Sequence, residues 1–123
     1  MGLFARKGLA FEKLKLSNSK ITSDKFTTIT LNLKNREKKF DNILVTAKTD
    51  DLNNRYLKID KPSLQLPSLE FPNRNTGDHK ITITPYNITL NKMTFKITLD
   101  VFSNNNPKSL LRKEFNLNVT KKT

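Results

Sequence analysis

A strict alternation of apolar and polar residues recurs along most of this chain and restricts its fold more than any other feature. The clearest case is MTFKITLDVF, whose apolar positions are Met93, Phe95, Ile97, Leu99 and Val101. A period of two residues is that of a β-strand with one face buried and the other in water. The same alternation occurs in the stretches KLKLSNS, TTITLNLKN, NILVTAKT, HKITITPYN and EFNLNVT. The sequence therefore predicts a protein built of strands.

Polar segments separate these runs, namely NREKKFDN, DDLNNR, FPNRNTGDHK, NITLNK and SNNNPKS. Asn and Asp suit turns because their side chains hydrogen-bond to turn backbone and tolerate left-handed conformations. About seven short strands, regularly spaced by turns, predict an antiparallel immunoglobulin-like β-sandwich. A small closed barrel is the alternative, but the chain has only three glycines, none in a predicted strand, whereas barrels place glycines where strands bend. Residues 106–113 are predicted to form a brief turn before the last strand.

The middle of the chain, YLKIDKPSLQLPSLEFP, is less regular. Its short apolar alternations are interrupted by Pro62, Pro67 and Pro72, and proline cannot donate a hydrogen bond within a central strand. We therefore predict short edge strands here, which cross from one sheet to the other.

Three stretches, TITLNLKNREKKFDNILVTAKTDD, LQLPSLEF and HKITITPYNITLNKMTFKITLDVFSNN, follow one another in residues 26–104. Their order of strand, Asn-containing turn, strand, long crossover, strand, short polar turn and strand resembles that of small prokaryotic immunoglobulin-like modules, the cell-adhesion-related and NEW3-like domains. The resemblance implies a non-catalytic binding or scaffolding module. The resemblance identifies no functional residues in this sequence.

We expect three segments along the chain: a basic N-terminal arm at 1–9, a single sandwich domain at 10–120 and a basic tail at 121–123. A secretory signal would need an uninterrupted apolar core of about seven residues or more, but Arg6 and Lys7 divide the apolar residues at the start of the chain. No apolar run approaches the roughly 18 residues that span a bilayer. On this basis a cytoplasmic location is expected.

The formal net charge is +12 at pH 7, which attracts polyanions and acidic surfaces at long range. Lysine supplies 18 and arginine only 5 of the positive charges. This usage does not favour selection for bidentate phosphate contacts, which arginine makes better than lysine. Compositional bias of an AT-rich genome therefore explains the charge as well as a function does.

Two groups of residues are candidate interaction sites. The first is a docking arm formed by Leu3, Phe4, Arg6 and Lys7, because a sandwich core does not require these residues. The second is a basic patch formed by Lys13, Lys15, Arg112 and Lys113, because the first and last strands of a sandwich often lie near one another.

Residues for catalysis or metal binding are scarce. His79 is the only histidine and cysteine is absent, so neither a catalytic triad nor a multi-histidine metal site can form within one chain. Asp50 and Asp51 lack the spacing of a calcium loop, and an Asp-rich turn explains them. The sequence singles out no pair among Asp41, Asp60, Glu70 and Asp78 as the two catalytic carboxylates of a glycosidase. We predict no enzymatic activity, no cofactor and no metal.

The sequence therefore predicts a non-catalytic binding or scaffolding module with another protein as its partner. The first alternative is a basic nucleic-acid-associated protein, for which Tyr56, Tyr86 and Phe102 are the candidate exposed aromatic residues. The second is peripheral association with an anionic membrane through the basic arm. Homo-oligomers formed by pairing of strand edges are a further option, because open sandwiches have free edges.

Overall fold

The computed structural model describes residues 8–36, 38–51 and 55–123. Nine strands form in these residues. They are β1 (Leu9–Leu16), β2 (Lys20–Thr22), β3 (Thr27–Asn35), β4 (Ile43–Thr49), β5 (Leu57–Ile59), β6 (Ser63–Leu66), β7 (His79–Pro85), β8 (Lys92–Phe102) and β9 (Leu111–Thr120).

The strands build two sheets that face one another. One sheet has four strands in the order β1-β3-β7-β5, and the other has five in the order β2-β9-β8-β4-β6. Every strand pair is antiparallel except β2 and β9, which run parallel. The predicted all-β sandwich is confirmed.

The core consists of the apolar residues that alternate along the strands. Ile97, Leu99 and Val101 of β8 are fully buried, and so are Ile29 and Leu31 of β3. Burying a side chain of this size contributes about 1.5–3 kcal/mol relative to leaving it in water. The alternation seen in the sequence therefore marks the side chains that join the two sheets.

The irregular middle of the chain crosses between the sheets as predicted. β5 forms the edge of the four-stranded sheet beside β7, and β6 forms the edge of the five-stranded sheet beside β4. Pro62 lies between the two short strands, where the missing N–H removes no ladder hydrogen bond.

The strand count is nine rather than about seven, partly because the chain also changes sheets after β1. β1 pairs with β3 in one sheet, while β2 adds to β9 in the other. β1 also contains a bulge between Phe11 and Lys13, where its register with β3 shifts. The sequence carries a signal for this bulge, because an odd spacing separates Phe11 from Leu14 although both pack against the core.

β9 begins at Leu111, inside the segment predicted to be a turn. Lys113 lies opposite the buried Leu99 of β8 and so occupies an inward position of the strand. A lysine there breaks the apolar alternation, which is why the sequence pattern begins only at Phe115. Inward-pointing charges are tolerated on strands at the edge of a sheet.

Asparagine carries the turns, as the sequence analysis proposed. Five asparagines adopt positive φ, with values from 48° to 64°, at Asn42, Asn73, Asn87, Asn104 and Asn105. Asparagine is among the few residues other than glycine that enter this region readily.

No helix in the described part of the chain is long and apolar enough to cross a membrane.

Candidate functional site

One edge of the five-stranded sheet is only partly covered. β8 pairs with β9 along the whole of Leu111–Thr120, whereas β2 pairs on the other side with only the last three residues of β9. Among the described residues no strand pairs with the second side of β9 from Leu111 to Leu117. We refer to this segment as the β9 edge.

The hydrogen bonds at the covered end show which backbone groups face outward along this edge. The Asn118 N–H donates to the Ser19 carbonyl over 2.8 Å, towards β2. Backbone groups alternate in direction along a strand, and the register of β9 on β8 is continuous. The unpaired side of the β9 edge therefore presents the N–H and C=O groups of Arg112, Glu114 and Asn116.

Both apolar and charged side chains flank the β9 edge. Leu111 and Phe115 face inward and are half-buried against the core, whereas Lys113 between them is exposed. On the outer face the Arg112 Nε donates to Asp100 over 2.7 Å, and Ser109 donates to the same carboxylate oxygen over 2.8 Å. The Arg112 guanidinium is the main cause that lowers the pKa of Asp100.

A second surface is organised by Asn35, whose side chain is fully buried at the end of β3. The Asn35 amide nitrogen donates to the carbonyls of Lys38 and Phe71 over 2.7 and 2.8 Å. Its amide oxygen accepts the Arg74 N–H over 2.8 Å. One buried amide therefore joins Lys38 to Phe71 and Arg74, which lie more than thirty residues further along the chain.

The surface around this amide, which we name the Phe71 pole, comprises residues 35, 36, 38–40 and 69–74. The Phe71 side chain is 64% exposed, and the Arg74 guanidinium carbon lies 6.0 Å from the centre of its ring. The Lys38 Nζ lies 5.3 Å from the ring centre of the buried Phe40. Cations at these distances are attracted to the faces of aromatic rings.

The predicted docking arm precedes the first described residue in the sequence. Leu3, Phe4, Arg6 and Lys7 lie outside the described residues. The first described residue is Gly8, whose carbonyl accepts the Arg36 N–H over 3.1 Å. Gly8, the residue before β1, therefore lies beside Arg36.

The structure does not gather the four residues of the predicted basic patch on one face. Lys13 and Lys15 lie on the outer face of the four-stranded sheet, Arg112 on the outer face of the five-stranded sheet, and Lys113 on the inward side of β9. The cause is that the first and last strands belong to different sheets. A shared role for the four residues stays a prediction.

Two of these cations, Lys13 and Arg112, form ion pairs with Asp78 and Asp100. The Lys13 ammonium donates to the Asp78 carboxylate over 2.9 Å, and the Asn32 side-chain amide donates to it over 3.1 Å. Both hydrogen bonds lower the pKa of Asp78.

A third carboxylate, Asp24, lies in the loop between β2 and β3. The hydroxyl of Thr22 and the ammonium of Lys122 bond to Asp24 and lower its pKa to about 2.

Asp50 and Asp51, the two adjacent acidic residues that follow β4, accept hydrogen bonds from backbone N–H groups. The Asp51 carboxylate accepts the N–H groups of Arg55, Tyr56 and Leu57 over 3.1, 2.7 and 3.0 Å. Asp50 accepts the Lys96 N–H over 3.0 Å. These bonds tie Asp51 to the residues that lead into β5, and Asp50 to β8.

The remaining candidates for catalysis or metal binding do not lie together in the described part of the chain. The His79 Nε2 lies 3.1 Å from the Thr76 carbonyl. Among the described residues no three or more His, Cys, Asp and Glu side chains form a group suited to a metal ion.

The exposed aromatic residues differ in part from those predicted. Tyr86 is exposed, but Tyr56 is half-buried with its ring centre 6.2 Å from that of Phe95. Phe26 and Phe71, which are not among the predicted aromatic residues, are 62% and 64% exposed. Neither residue belongs to one of the long alternating stretches that form the core strands. This position in the sequence is the signal that could have identified them as exposed.

Phe26 lines an open groove of about 830 Å³ together with Ile21 and Lys25. The groove lies beside the connection from β2 to β3, whereas Phe71 follows β6. The two exposed phenylalanines therefore belong to different surfaces.

The fold and these surfaces define an immunoglobulin-like β-sandwich protein. No protein-family model matches the sequence, and no curated protein is detectably related to it.

The structure is similar to many solved structures, among them the following three. The periplasmic chaperone SfaE matches with a TM-score of 0.58 at 10% identity, over 90% of this chain and 58% of that chain. SSP-19, an MSP-domain protein like family member in Caenorhabditis elegans, matches with a TM-score of 0.53 at 13% identity, over 83% and 94%. The Salmonella enterica SafA pilin in complex with the SafB chaperone matches with a TM-score of 0.52 at 10% identity, over 89% and 53%.

This chain spans a little over half of the SfaE chain and nearly all of SSP-19. At such low identity the similarity establishes the fold alone. It agrees with the immunoglobulin-like class expected from the sequence, while the assignment to NEW3-like domains stays a prediction.

Proposed function

We propose that this protein is a non-catalytic binding module that takes up an extended segment of a partner protein at the β9 edge. The observation that carries the proposal is the row of backbone groups at Arg112, Glu114 and Asn116, which no described strand covers. Strand addition to such an edge provides main-chain hydrogen bonds for affinity.

The side chains of the β9 edge supply selectivity in this scheme. Leu111 and Phe115 are half-buried and offer apolar contacts to alternate side chains of an added strand. Arg112 and Glu114 face outward with opposite charges, and cross-strand pairs of opposite charge contribute roughly 0.2–1 kcal/mol. Lys113 disfavours a partner with a cation at the opposite position.

The comparisons support a protein partner by analogy of fold. One similar structure contains a pilin in complex with a chaperone, so a sandwich of this type occurs within a protein–protein complex.

The test uses the variant Glu114→Pro. Proline removes the N–H that points to the free side of β9, and proline is tolerated at such edge positions. We expect protein partners captured from nuclease-treated native lysate at moderate salt to be lost with Glu114→Pro. The matched control Glu114→Ala removes the side chain but keeps the N–H and is expected to retain them.

Three measurements complete the test. Thermal unfolding followed by circular dichroism must show that both variants remain folded. Light scattering reports whether the captured partner is a second copy of this chain. Equal capture by the wild type and by folded Glu114→Pro would refute strand addition at this edge.

Nucleic-acid binding is the second candidate, and the exposed aromatic and basic side chains of the Phe71 pole favour it. Membrane association through the arm and the cytoplasmic location stay predictions. Vesicles containing anionic lipid, with and without deletion of residues 1–8, test the former.

A further inference from the structure

We propose that the Phe71 pole binds single-stranded nucleic acid. In this arrangement Phe71 and Arg74 stack on unpaired bases, while the neighbouring cations contact phosphates. The site is separate from the β9 edge and does not depend on the function proposed for that edge.

The first argument is that an exposed aromatic ring is attached to a fixed backbone. Phe71 is 64% exposed, yet its carbonyl accepts a 2.8 Å hydrogen bond from the fully buried Asn35. A ring presented on a fixed frame loses little conformational entropy when a planar ligand stacks on it. Bases stack on aromatic side chains largely without regard to sequence.

The second argument is the position of Arg74. Its N–H is bonded to the Asn35 side chain over 2.8 Å, and its guanidinium carbon lies 6.0 Å from the Phe71 ring centre. Planar guanidinium groups stack on bases and also bind phosphate oxygens. Phe71 and Arg74 thus provide two neighbouring surfaces for stacking.

The third argument is the charge of the pole. Arg36, Lys38 and Lys39 lie on the connection that follows β3, and within the described chain Lys39 pairs with Glu70 over 3.4 Å. Clustered cations beside an aromatic platform suit a ligand that carries both phosphates and bases, whereas an acidic peptide would use the cations alone.

Phe26 provides a matched control for this interpretation. It is 62% exposed, almost as much as Phe71, but no cation stacks on its ring among the described residues. Removal of either ring takes away similar exposed apolar area, so only a specific role of Phe71 separates the two variants.

The experiment measures fluorescence anisotropy of labelled single-stranded 12-nucleotide oligo(dT) and oligo(rU) with the full chain at low and moderate salt. We expect Phe71→Ala to weaken binding roughly 5- to 150-fold, the range that corresponds to stacking of one base. Phe71→Trp should retain binding, Arg74→Ala should weaken it, and Phe26→Ala should change it less than about twofold. Thermal unfolding confirms that each variant is folded.

Two comparisons separate stacking from general attraction between charges. A duplex of the same length and polyglutamate, used as competitors, should displace the oligonucleotide less effectively than unlabelled single strand does. The proposal is overturned if the wild type does not bind at low salt, if Phe71→Ala and Phe26→Ala behave alike, or if polyglutamate competes as well as single strand. The last result would assign the pole to an acidic protein instead.

Discussion

Replacement of Asn35 by alanine should destabilise the fold and loosen the Phe71 pole together. The substitution removes the partner of three backbone groups, the carbonyls of Lys38 and Phe71 and the N–H of Arg74. A buried polar group without a partner costs about 1–3 kcal/mol. Water can reach some of these groups because the bonds are part-buried, so we expect a loss of about 3 kcal/mol in the free energy of unfolding.

The loss is measurable by thermal and urea unfolding followed by circular dichroism. For a domain of this size 1 kcal/mol corresponds to about 4 °C in Tm, so Asn35→Ala should lower Tm by roughly 12 °C. The variant should also bind oligonucleotides more weakly below its Tm, because Phe71 and Arg74 lose their common support.

The variant Asn35→Asp provides the sharper test because its effect depends on pH. The introduced carboxylate would face the carbonyl oxygens of Lys38 and Phe71, whereas its protonated form can donate one hydrogen bond. Its pKa should therefore be higher in the folded than in the unfolded state. A carboxyl group with a raised folded-state pKa destabilises as pH rises, so the stability gap to the wild type should be larger at pH 7 than at pH 4.

Two results would refute this reasoning. One is a loss below about 0.5 kcal/mol for Asn35→Ala, which is the usual effect of a surface substitution. The other is a stability gap for Asn35→Asp that stays the same between pH 4 and pH 7.

Two further predictions concern other carboxylates. Asp51→Ala should lower the free energy of unfolding by about 2–3 kcal/mol, because three backbone N–H groups lose a charged acceptor; urea unfolding should show a smaller loss for Asp50→Ala. Asp100→Asn should lower the urea midpoint at pH 7, because Arg112 holds the pKa of Asp100 below its usual range. A depressed carboxyl pKa stabilises above the unfolded-state pKa and loses this effect as pH falls through the folded-state value, so the gap should close below about pH 4 and an unchanged gap at pH 2.5 would contradict the assignment.

The fold class was predictable because its signal is local. Alternation at a period of two residues depends only on neighbours in sequence, and the buried apolar residues of β8 follow it without a break from Phe95 to Val101. The prolines of the middle segment likewise predicted edge strands, because proline lacks a donor wherever it stands.

The β9 edge was only partly predictable. Lys113 occupies an inward position, so the apolar pattern stopped short of the true start of β9 at Leu111. An inward lysine is tolerated here because no described strand pairs with the free side of β9. The sequence does not state which strand lies at an edge.

The sequence by itself determined the class of fold, the Asn-rich turns and the crossing of the middle segment. The tertiary structure alone decided which side chains meet. It separated Lys13 from Arg112 onto different sheets, and it brought Asn35 to Phe71 and Arg74 through one amide group. The physical reason is that strand periodicity is set within a few residues, whereas contacts between loops depend on how distant strands pair.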